Sequence, residues 1–117
     1  MDSALTKDAE KMLAQIYKTY LERRKSGVQK REAKNFTVLE NWPPEYEGEW
    51  LSTDANETMN ELQRIGFIKK GFDRKFVLCD EAIIYMEGRF KRGLSDVADF
   101  LSKLLSCLLY TSDAADE

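Results

Sequence analysis

The chain has 117 residues, 43% of them hydrophobic and 33% charged, with 18 basic and 21 acidic side chains, a formal net charge of −3 and no histidine. This is one domain by the usual figure of about 100 to 200 residues, and its composition excludes disorder and allows a modest core. No apolar run approaches the roughly 18 to 20 residues of a membrane span, and MDSALTKDAEKM lacks the layout of a secretion signal, so the expected location is the cytoplasm.

In LTKDAEKMLAQIYKTYLERRKSG, residues Leu5, Ala9, Met12, Leu13, Ile16, Tyr17, Tyr20 and Leu21 recur at three- and four-residue steps, which predicts a helix with one apolar face. Asp8 and Glu10 near its start, Arg23 to Lys25 near its end, and Gly27 beyond them agree with the helix dipole and supply a stop. The basic stretch VQKREAKNF follows, read as a helix of two turns anchored by Val28, Ala33 and Phe36. Pro43 and Pro44 then exclude a continuous helix, and TVLENWPPEYEGEW reads as a surface loop. Its Trp42, Tyr46 and Trp50 either cover a small core or offer a surface to a protein partner.

From Asp54 the pattern is capped helix, hairpin, capped helix. Asp54 and Glu57 fit a capping box, Ala55, Met59, Leu62 and Ile65 form the buried stripe, and Gly66 ends the helix. FIKKGFDRKFVL predicts two short strands around a turn at Gly71 to Arg74. Asp80 opens the next helix, with Ala82, Ile83, Met86 and Phe90 on one side, and Gly93 breaks it. Leu94, Val97, Ala98, Leu101, Leu104 and Leu105 give a last amphipathic helix, about 94–105, whose stripe is expected either to meet its counterpart in a homodimer or to pack on its own domain.

The last eleven residues, CLLYTSDAADE, resemble the translated adapter of transposase-based sequencing libraries. The expected division is one domain over 1–106 and a non-native tail over 107–117, the alternative being a native acidic tail. Without Asp113, Asp116 and Glu117 the 18 basic residues face 18 acidic ones, and Cys79 is left as the single thiol. No histidine means no common general base or imidazole ligand, so neither catalysis nor a metal site nor a cofactor is expected. Cys79, ahead of a helix start that could lower its pKa, is read mainly as a small filler.

Met59 to Phe90 resemble the second half of a winged-helix domain. The resemblance rests on a helix ending in Leu62 to Ile68, a two-stranded wing over Lys69 to Lys75, and a strand-to-helix phrase over Leu78 to Ala82 in which Cys79 stands where Thr is commoner. More loosely, the layout is similar to small prophage and mobile-element proteins of the YjcQ-like kind. The fold so implied is mostly α with a small β-hairpin, a winged helix-turn-helix plus the C-terminal amphipathic helix.

The function so implied is double-stranded DNA binding by an accessory or transcription-regulatory protein of a bacterial mobile element. Base edges would be read by Asn56, Asn60, Gln63 and Arg64. Phosphates would be met by Lys69, Lys70, Arg74 and Lys75, with Lys30, Arg31 and Lys34 as a second group. A dimer interface would run along Leu94, Val97, Leu101 and Leu104. Asp54, Glu57 and Glu61 are expected on the same face as the base readers, where they would repel phosphates. The alternative is a protein-interaction module on the same scaffold without DNA binding.

Overall fold

The computed structural model describes residues 5–37 and 52–103. In chain order these form α1 (Lys7–Lys25), α2 (Lys30–Ala33), β1 (Asn35–Thr37), α3 (Ser52–Arg64), β2 (Ile68–Lys70), β3 (Lys75–Leu78) and α4 (Asp80–Arg89), then α5 over 94–103. The chain is thus mostly helical with a small antiparallel sheet of order β1-β3-β2. Trp42, Tyr46, Trp50, Leu104 and the stretch 107–117 lie outside the described residues.

Helix α1 is the axis of the fold. Thr6 caps it, its hydroxyl accepting from the Ala9 N–H at 3.1 Å. At the other end the Val28 N–H donates to the Arg23 carbonyl (2.9 Å) and the Gly27 N–H to that of Arg24 (3.0 Å), a turn that Gly27 closes at φ +97°. Ala9, Met12, Leu13, Ile16, Tyr17 and Tyr20 are buried as their spacing predicts, whereas Leu5 and Leu21 are half-buried. Ala14 and Gln15, off that stripe, are also buried, at 0% and 1% exposure, so the middle of α1 is enclosed on almost every side.

Gln15 finds no hydrogen-bond partner for either amide atom among the described residues. A buried amide left unpaired costs about 1–3 kcal/mol. Gln15→Met keeps the shape and removes both polar atoms, so it is expected to raise stability by about 1–2 kcal/mol in urea unfolding. An unchanged or lower midpoint would show that the amide is satisfied.

The two-turn helix expected over VQKREAKNF is a single turn, α2, followed by strand β1. Arg23 makes this corner: its Nη1 donates to the carbonyls of Ala33 (3.3 Å) and Asn35 (2.6 Å), and its guanidinium lies 4.3 Å from the centre of the Phe36 ring. With the chain turned there, Phe36 pairs with Phe76 of β3 and the rings stack at 5.2 Å. The helical reading fails because these long-range contacts are available only to an extended chain.

Helix α3 begins at Ser52, so Asp54 lies inside the first turn rather than at the cap, where it still favours the dipole. Thr58, Met59 and Leu62 are buried, but Ile65 lies past the helix end and is 37% exposed. Gly66, at φ +88°, turns the chain sharply into β2, the Phe67 N–H donating to Leu62 (2.9 Å) and the Gly66 N–H to Gln63 (3.0 Å).

The hairpin forms as predicted. Asp73 (φ 58°) and Arg74 (φ 62°) occupy its two left-handed positions, and the Lys75 N–H donates to the Phe72 carbonyl at 3.0 Å, a two-residue turn that matches the strand twist.

Ala82, Ile83, Met86 and Phe90 take their expected places in the core. Of the two expectations for the α5 stripe, packing on the chain's own domain describes two of its members. Val97 and Leu101, 0% and 6% exposed, belong to the chain's own hydrophobic core, and Leu94 packs half-buried against it. Phe100 meets Phe90 at 5.3 Å, and the Arg89 guanidinium lies 5.0 Å from the Phe100 ring, so the end of α4 provides the docking place.

Candidate nucleic-acid interface

Asn56, Asn60, Gln63 and Arg64 stand three or four residues apart, or side by side, on the side of α3 away from Met59 and Leu62, and all four are exposed. The hairpin adjoins them. The Lys70 N–H donates to Gln63 Oε1 at 2.8 Å, and Lys70 Nζ donates to Asn60 Oδ1 at 2.6 Å. These bonds make the helix amides and one hairpin cation parts of one surface.

Strand alternation divides the other cations. Lys70 pairs with Phe76 on the inner face, beside α3, while Lys69 pairs with Val77 on the outer face. Lys75, opposite Thr37, shares that outer face, and Arg74 is exposed on the turn.

The second basic group is placed differently. Lys30 and Arg31 are exposed, but α2 leads into β1, the edge of the sheet opposite β2. They therefore do not join the α3 surface. Lys34 is half-buried and bound to Asp80, Nζ to Oδ1 at 2.9 Å, so its charge is already engaged.

That ion pair sets a pH dependence. The hydrogen bond from Lys34, then its charge, holds the Asp80 carboxyl below the usual carboxylate range. A lowered folded-state pKa contributes stability at pH above the unfolded value, which is lost as pH falls through the folded one. Lys34→Ala is expected to move the Asp80 carboxyl titration, followed by NMR, up toward the ordinary value. A titration that does not move would remove Lys34 as its cause.

Glu61 does not crowd the α3 surface as the sequence suggests. Half-buried, it turns to the start of α1, where its carboxylate accepts from the Thr6 N–H (3.0 Å) and the Thr6 hydroxyl (2.9 Å). Asp54 and Glu57 are the exposed carboxylates that remain on α3 among the described residues. Sequence reasoning had no signal for this contact, because Thr6 and Glu61 are joined only by the fold.

Cys79 is half-buried at the start of α4, and its side chain makes no capping bond. Burial, and then Glu81, push its thiol up against the opposing influence of Lys34 and Lys69. The expected help from the helix start does not prevail, and the thiolate is disfavoured. Among the described residues no group of three acidic or cysteine side chains could hold a metal ion, and no helix is long and apolar enough to cross a membrane.

One residue of this region escaped the reading altogether. Phe72, beside the turn between Lys70 and Arg74, is 90% exposed. The signal was available, since a phenylalanine inside a predicted turn has no strand face on which to bury. Compared with family models, with curated proteins and with solved structures, the chain finds no match in any of the three.

Proposed function

We propose that this chain binds double-stranded DNA in the manner of a winged-helix module, with α3 toward the base edges and the β2–β3 hairpin as a wing on the phosphates. The observation that carries the reading is that Lys70 bonds Asn60 through its ammonium and Gln63 through its backbone N–H, which sets side chains suited to bases beside a cation suited to phosphate. Asn and Gln match the adenine edge, and Arg matches guanine. The passage from α3 into the hairpin at Gly66 supports it, as does the withdrawal of Glu61 toward Thr6, which removes one carboxylate from the proposed contact. An accessory or regulatory role in a bacterial mobile element is the corresponding biological setting, by the resemblance noted above.

The test is fluorescence anisotropy of the full chain on a duplex of random sequence, over a salt titration. Phosphate contacts by Lys69, Lys70, Arg74 and Lys75 would make the logarithm of affinity fall against that of salt with a slope of about −3 to −4. No binding at low salt would refute the proposal and turn attention to the interaction-module alternative. That alternative has lost Val97 and Leu101 as partner contacts, since both are buried in the chain.

A further inference from the structure

Phe72 is the most exposed large hydrophobic side chain among the described residues. The fold gives it no reason to be aromatic, since the position is one where polar residues or glycine commonly serve. Nor is it loosely held. The Gly71 N–H donates to the Lys75 carbonyl at 2.7 Å and the Lys75 N–H to the Phe72 carbonyl at 3.0 Å, so the ring projects from a corner braced on both sides.

Within three residues of it in sequence stand Lys69 and Lys70 on one side and Arg74 and Lys75 on the other. A bare ring at the tip of a hairpin whose strands carry cations fits a ligand that combines phosphates with flat apolar faces, which is the chemistry of nucleic acid. An anionic bilayer could accept the same pair of features. The amide-bearing α3 surface reached through Lys70 favours bases over lipid.

Resting on the DNA reading above, we propose that Phe72 is a wedge: with the hairpin against the minor groove, its ring enters between two stacked base pairs and kinks the duplex. Pyrimidine–purine steps, which unstack most easily, are its preferred point of entry. Phe72 thereby adds a preference for deformable sequence to the edge readout of α3.

The experiment uses the full chain, its Phe72→Ala and Phe72→Trp variants, and a duplex carrying 2-aminopurine beside a TA step. Anisotropy reports binding, 2-aminopurine fluorescence reports unstacking, and end-to-end energy transfer reports bending. Wild type and Phe72→Trp are expected to raise the fluorescence and shorten the duplex. Phe72→Ala is expected to keep the salt slope, lose both signals and bind about tenfold more weakly.

An alanine variant indistinguishable from wild type would overturn the wedge while leaving DNA binding intact. Absence of duplex binding by every form would overturn both. Phosphatidylserine vesicles bound by wild type and not by Phe72→Ala, with no duplex binding, would make the ring a membrane contact instead.

Discussion

Val97→Asp is expected to lower the stability of the fold by most of what a domain of this size has to lose. Val97 is 0% exposed, so the substitution removes a buried apolar side chain and puts in its place a carboxylate that must be desolvated without a partner or neutralised by protonation. The cost is about 4 kcal/mol or more, against a total of about 5–15 kcal/mol for a domain of ordinary stability. Ser102→Asp, on the exposed side of the same helix, should shift stability by no more than about 0.5 kcal/mol. Circular dichroism through a urea titration, with size-exclusion chromatography, distinguishes the alternatives. A folded Val97→Asp protein eluting at half the native mass would restore the dimer seam and refute the packing described for α5.

On the proposed DNA reading, Asn60→Ala with Arg64→Ala is expected to narrow the gap between the best site and random sequence by about 30-fold or more while leaving the salt slope nearly unchanged. Each base contact of this type discriminates by about 1–3 kcal/mol. On the same reading, Lys69→Ala with Lys75→Ala is expected to weaken binding to every sequence alike and to make the slope shallower by about 2. Lys75 is preferable to Lys70 for this comparison because Lys70 holds Asn60, so its loss would disturb both readouts. Site selection on a randomised duplex pool, followed by salt titrations of the best and a scrambled site, measures both quantities. If the two double variants lost affinity and specificity in the same proportion, the division between base and phosphate contacts would be untenable.

The features legible in the sequence are those written locally. Three- and four-residue spacing gave α1 and α4, Gly27 and Gly66 marked real helix ends, and the alternation in FIKKGFDRKFVL gave the hairpin with its turn where expected. What was missed depends on distant partners. Strand β1 is three residues long, too short for alternation to register, and it forms because β3, some forty residues later, pairs with it. The stripe of α5 was visible, but which surface it covers is a property of the assembled core and of Phe90 in particular. The winged-helix resemblance implies Asn56, Asn60, Gln63 and Arg64 as base readers, yet the bonds that tie Asn60 and Gln63 to Lys70 and the turn of Glu61 toward Thr6 are tertiary facts.

Gly66 brings a further thermodynamic consequence. Because only three residues, Ile65 to Phe67, separate α3 from β2 and both the Gly66 and Phe67 N–H groups are tied back to α3, helix and hairpin are held in one relative orientation. A ligand spanning both meets a preorganised surface and does not have to offset the entropy of assembling it. The heat-capacity change on association should accordingly match the apolar area covered at the contact, without the larger decrement that accompanies folding coupled to binding.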